Sequence, residues 1–133
     1  MARPAAVVGV LAVVTGALAA LAVTWVGDFI GDLLERAFSV TLRAWELAAM
    51  QVAFVNTPAG AVAGLLGALS RRWGRGASLG AALHAVVFLI FMLSSDSFRA
   101  APASVNGWVF AVGILGGGLA GALGGLIGRR PRT

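Results

Sequence analysis

The chain has no cysteine, a single histidine (His84) and only ten basic residues, every one of them arginine. Without cysteine there is no disulfide, no thiolate metal site, no thiol nucleophile and no covalent haem through a CxxCH motif. One histidine leaves no His-rich metal cluster. No phosphate-binding loop, nucleotide motif or catalytic dyad is present, so catalysis is not expected. Charged residues make up 11% of the 133 positions, against about 25% in a soluble domain. The arginines flank apolar runs and do not line a soluble face. The net charge of +5 therefore does not read as a nucleic-acid partner.

What the chain does have is hydrophobicity in long uninterrupted runs, 59% of its residues. That is the signature of bilayer-spanning helices. Four spans are expected, at about 5–26, 47–69, 77–97 and 106–128. The first could serve as a signal peptide, but its apolar run reaches Val26 and is long enough to span. Between the first and second spans, Gly27 to Glu46 carries six charges. Phe29, Ile30, Leu33, Leu34, Phe38, Leu42 and Trp45 fall on one helical face there, opposite Asp28, Asp32, Glu35, Arg36 and Arg43. This predicts an amphipathic helix over about 28–46, lying at the membrane interface. The expected fold class is thus all-α: one integral membrane domain over 1–133, with four transmembrane helices and this extracytoplasmic helix.

Glycine is placed with a period. In the last span Gly113, Gly117, Gly121 and Gly125 recur every fourth residue, which stacks them on one helix face. Gly60, Gly64 and Gly67 make a second small-residue face in the second span. In a bilayer such faces let helix backbones approach closely. Both spans are expected to run in the same direction. A close parallel contact between the two faces is therefore predicted, or one between the last stripe and its copy in a neighbouring chain. A shift of 58 residues aligns Gly60 with Gly118, Gly67 with Gly125, and Arg71-Arg72 with Arg129-Arg130, which hints at two related hairpins.

Arginine sets the expected orientation. Arg3, Arg71, Arg72, Arg75, Arg129, Arg130 and Arg132 fall on one side of the four spans. All five acidic residues, Asp28, Asp32, Glu35, Glu46 and Asp96, fall on the other. The positive-inside rule makes this a multi-pass cell-membrane protein with both termini cytoplasmic. Arg71, Arg72, Arg75, Arg129 and Arg130 are candidates for contact with anionic lipid head groups. Trp25, Trp45, Trp73 and Trp108 sit near span ends, as an aromatic belt would place them.

Polar groups inside a span are functional candidates. Gln51, Asn56 and Thr57 precede Pro58, which removes a backbone hydrogen bond and frees the carbonyl of Phe54. A kink or local unwinding is expected there, of the kind that lines solute paths in transporters. His84 could line a pore, relay a proton, ligate haem (with Met50 or Met92 as second ligand) or make an interhelical hydrogen bond. No cofactor is expected. Asp28, Asp32 and Glu35 are a candidate outer cation site, or simply a solvated helix face. In size, and at Val55-Asn56, the chain is faintly similar to small four-helix fluoride channels. It lacks their Thr/Phe-rich break in the third span, and its charge bias is wrong for dual topology, so no family is assigned. The expected function is packing, as a homo-oligomer or a non-catalytic subunit of a larger membrane complex. The alternative is a small oligomeric channel or transporter using the break at Asn56-Thr57-Pro58. Lipid and self-association, or another membrane subunit, are the expected partners.

Overall fold

The computed structural model describes residues 4–38, 45–100 and 103–129. The described residues are helical, in the order α1 (Ala5–Phe38), α2 (Trp45–Ser70), α3 (Trp73–Ser94), α4 (Asp96–Ala100) and α5 (Ala103–Ile127). Three segments are long and apolar enough to cross a membrane: Ala5–Leu34, Trp73–Ser94 and Asn106–Ile127. In α2 the apolar stretch Val55–Ser70 is shorter, and the side chains of residues 45–54 lie outside the described set.

α2 and α5 lie side by side at the centre, and each touches both α1 and α3. The four packed helices meet on alanine: Ala19, Ala63 and Ala120 form the buried core, with Leu83 and Leu123 against it. The larger apolar side chains point outward, among them Val10, Leu18, Leu69, Leu89, Leu93 and Leu115. This is the arrangement of a protein whose solvent is hydrocarbon. Lipid is as apolar as leucine, so the interior selects small residues that bring backbones together.

The seams show this directly. A methyl group at Gly16 or at Gly64 would overlap a carbonyl oxygen across the α1–α2 seam, that of Gly60 or Ala12. At Gly80 it would overlap the Gly117 carbonyl, and at Gly121 the Gly76 carbonyl, across the α3–α5 seam. Between α2 and α5 the relation is reciprocal: Gly67 faces the Gly121 carbonyl and Gly124 faces the Gly64 carbonyl. These contacts are related by an approximate two-fold axis between α2 and α5. It exchanges Ala12, Gly16 and Ala20 with Gly76, Gly80 and His84, and Gly60, Gly64 and Gly67 with Gly117, Gly121 and Gly124. The register differs by one residue from the 58-residue shift that the sequence suggests.

The expected parallel contact of the two glycine faces is present at Gly67, which meets Gly121 and Gly125, but the stripe of α5 is filled chiefly by antiparallel α3, which Gly117, Gly121 and Gly125 all face. α5 carries a second small face, with Gly124 and Gly128 on α2. The expected amphipathic helix is not a separate element over the described part: α1 runs through Gly27 to Phe38. Gly27 seats Val112, and Gly31 meets the indole of Trp108, so α5 covers the face on which the helix would otherwise break. Phe29 and Leu33, on its expected apolar face, are exposed. Residues 39–44 of that segment lie outside the described set. α2 is continuous across Pro58, so the local unwinding expected as one outcome there is absent. Pro58 is exposed, and the opposite face of α2 is held by the Gly60 and Gly64 contacts.

Two measurements check the seams. Gly80→Ala must push α3 and α5 apart and should destabilise the fold by about 1–3 kcal/mol, as overpacking does. Gly9→Ala, which meets nothing within 4 Å, should be neutral or slightly stabilising. Equal melting temperatures of the two variants in detergent would refute the close seam. Arg71 ends α2 with φ 59°, its N–H donating to the carbonyls of Gly67 and Ala68. A left-handed residue other than glycine is strained by about 1 kcal/mol. Arg71→Gly should therefore raise the stability by about that amount.

Candidate functional site

The buried polar side chains among the described residues are Thr24, Asn56 and His84, at 3%, 7% and 3% exposure. They come from α1, α2 and α3, and they share one level of the bundle. Gly60 packs against Ala20, which places Asn56 and Thr24, each one turn further along antiparallel helices, at the same height. Gly116 of α5 meets Ala20 and Val23, and Gly117 meets the His84 imidazole. The single turn Gly113–Gly117 of α5 thus lies at the level of this layer, with His84 of α3 and Ala20 and Val23 of α1 against it.

The local sequence explains Thr24 and His84. Thr24 donates its hydroxyl to the Ala20 carbonyl, 2.8 Å away in the preceding turn, which satisfies the side chain inside a span. His84 Nδ1–H donates to the Gly80 carbonyl at 3.2 Å. A carbonyl can only accept, so this bond places a proton on Nδ1, and in the neutral ring the lone pair is then on Nε2. Nε2 is buried and has no hydrogen-bond partner among the described residues. The expected interhelical hydrogen bond of His84 is therefore replaced by one within its own helix. The side chain nonetheless lies in the α3–α5 seam, because Gly117 has no side chain to exclude it. Leaving such a buried acceptor unsatisfied costs about 1–3 kcal/mol.

The seam closes on both sides of this imidazole. Toward the arginine-bearing end, the backbones of Gly80 and Gly117 meet. Toward the other end, Phe88 and Phe110 stack edge to face with ring centroids 5.0 Å apart. A haem could reach Nε2 only if α3 and α5 parted. Met92 stands about 12 Å further along the same helix as His84 and cannot oppose it across an iron. The side chain of Met50 lies outside the described set.

The remaining candidates scatter. Thr57 is half-buried and Pro58 exposed, while the side chain of Gln51 lies outside the described set. Asp28 is half-buried and Asp32, one turn on, is exposed. The Glu35 side chain is outside the described set, and no cluster of three metal-ligand types is found among the described residues. Near the same end Asp96 pairs with Arg99. Arg71, Arg72, Arg75 and Arg129 are exposed and gather at the opposite end, where Gly125 packs on the Arg72 backbone and Gly128 on Ala68. Arg130 lies outside the described residues.

Sequence reasoning missed Thr24 and the Gly76/Gly80 pair of α3. A hydroxyl amid an apolar run, and glycines four apart opposite the α5 stripe, were the available signals. No protein-family model, curated protein or solved structure matches the chain.

Thr24→Val keeps the shape and removes a hydrogen bond made within one helix. It should lower stability by about 0.6 kcal/mol. His84→Ala empties a buried seam and should cost several times more, about 2 kcal/mol or above. Unfolding in mixed micelles measures both, and the reverse order would contradict the layer described.

Proposed function

We propose that the chain is a small multi-pass protein of the cell membrane in which α1, α2, α3 and α5 all cross the bilayer, with both termini cytoplasmic. It works through helix packing rather than catalysis, as a homo-oligomer or as a non-catalytic subunit of a larger membrane complex. The observation that supports this reading most is the closure of the seams. Backbone meets backbone between α1 and α2, α2 and α5, and α3 and α5. An interior committed to such contact leaves little width for a solute along those seams. The clustering of Arg71, Arg72, Arg75 and Arg129 at one end, with Asp28, Asp32 and Asp96 toward the other, supports the orientation by the positive-inside rule. Because the glycine faces are occupied within the chain, a partner subunit or second copy would use the outward apolar faces instead. The basic end would rest on anionic head groups.

One observation favours the alternative, a small oligomeric channel or transporter: the polar layer of Thr24, Asn56 and His84 within the bundle. The mass of the protein in native-lipid nanodiscs separates the readings when combined with one variant. Packing predicts a particle heavier than one 13.4 kDa chain with its lipid, an unchanged assembly in Asn56→Ala, and a cooperative fold lost in Gly117→Leu. A single chain with no co-purifying subunit would sink it. Ion or solute flux in liposomes that Asn56→Ala abolishes, with assembly intact, would establish the channel reading in its place.

A further inference from the structure

We propose that the arginine end of the bundle is a binding site for one anionic phospholipid, with its phosphate on the guanidinium groups of Arg71, Arg72, Arg75 and Arg129 and one acyl chain along the outward face of α3. The proposal rests on the reading that this end lies at a lipid surface, and it narrows a general attraction to a discrete site. The fold gathers the four arginines from separate stretches. Arg71 and Arg72 form the whole turn between α2 and α3, tightened by the Arg71 N–H on the Gly67 and Ala68 carbonyls. Gly125 packs on the Arg72 backbone and Gly128 on Ala68, so Arg129, the next residue, leaves α5 beside that turn. All four side chains are exposed, and none of the guanidinium groups has an ion-pair partner among the described residues. The described carboxylates lie toward the opposite end, Asp96 about 30 Å away along α3. A phosphate is an anion whose oxygens match the guanidinium fork.

From this turn into the membrane, α3 breaks the size rule of the bundle, which keeps small residues inside and large ones outside. Gly74, Ser78 and Ala82, each four apart and so on one helix face, are all exposed. A methyl group at Gly74 would meet nothing within 4 Å, and the Ser78 hydroxyl is committed to the Gly74 carbonyl at 3.1 Å. The approximate two-fold that exchanges Gly76 and Gly80 with Ala12 and Gly16 puts Val10, Val14 and Leu18 of α1 at the equivalent positions. Those three are large and exposed, as lipid-facing residues are elsewhere in the bundle. On α3 the same positions make a shallow trough about 12 Å long, closed further up by the exposed Val86 and Leu89. An acyl chain descending from a phosphate on the arginines would lie in it. Trp73, 63% exposed, stands at its mouth, where an indole meets the head-group region. Charge selects the occupant. A second copy docked through this face would set Arg71, Arg72 and Arg75 against their own counterparts, with no described carboxylate at that end to offset them. A zwitterionic lipid carries its own cation beside the phosphate, whereas an anionic one leaves its charge to the arginines.

Native mass spectrometry of the detergent-solubilised protein, titrated with phosphatidylglycerol or with phosphatidylcholine of the same acyl chains, tests the site. The first phosphatidylglycerol should bind more tightly than later ones and than any phosphatidylcholine, and rising salt should weaken it. Arg72→Gln combined with Arg75→Gln should lower that first affinity about 25-fold, the worth of two arginines at a charged lipid surface. Ser78→Leu fills the trough without touching charge and should weaken the same step, whereas Val14→Leu, at the equivalent place on α1, should not. All these positions are exposed, so each variant should melt as the parent does. Equal retention of the two lipids, an affinity unchanged by the paired arginine substitutions, or Ser78→Leu binding as tightly as Val14→Leu would each overturn the proposal. So would a co-purifying protein that Ser78→Leu releases, which would put a protein helix on this face. The measurement depends on neither orientation nor assembly in a bilayer. Its failure therefore leaves the packing reading standing, and a lone chain in nanodiscs would sink that reading but not this site.

Discussion

Everything in this bundle depends on how closely two helix backbones can approach in a medium where burying leucine gains nothing. In water, a stripe of glycines weakens a helix, because each interior glycine costs about 0.5–1 kcal/mol relative to alanine. In a bilayer the unfolded alternative is worse, since every unpaired backbone group costs several kcal/mol. The helices are therefore secure, and the glycines become free to serve contact. At Gly16 against Gly60, Gly80 against Gly117 and Gly67 against Gly121, no side chain intervenes. Dispersion between main-chain atoms then replaces the side-chain core of a soluble domain.

That constraint also accounts for the inverted distribution of size. Ala12, Ala63 and Ala120 are fully buried while Leu69 and Leu93 are among the most exposed residues. A bundle with alanine at its centre has no volume to spare for an imidazole. His84 is admitted only because the position it faces, Gly117, is empty of a side chain. The two-fold equivalent shows the alternative solution, Ala20 facing Gly60. Size on one helix is exchanged for its absence on the facing one.

The helical class, the long apolar segments and the small-residue faces of α2 and α5 are legible from period and composition alone. What packs into those faces is not. The period of four marks a face, but α5 has two glycine faces, and only the three-dimensional path decides that Gly117 and Gly121 turn to α3 while Gly124 turns to α2. A helix end at Gly27 and an unwinding at Pro58 were expected from local propensity, and in both places the helix continues. Val112 seats on Gly27, while Pro58 stands on the exposed face of a helix fastened from behind. The buried layer was half legible. Asn56 and His84 are conspicuous in apolar runs, but their common level with Thr24 depends on the offsets between antiparallel helices, which a linear chain does not display.

The hydrogen bonds of that layer have a consequence for its rigidity. Thr24 and His84 both turn their donors back onto the helix that carries them, so neither fastens one helix to another. The contacts between helices described at this level are ones of shape: the imidazole against Gly117, the Phe88 ring against Phe110, and Ala20 against Gly60. Shape contacts resist compression strongly and shear weakly, whereas a hydrogen bond between helices would fix register as well. The glycine seam on the arginine side of His84 fixes the spacing of α3 and α5.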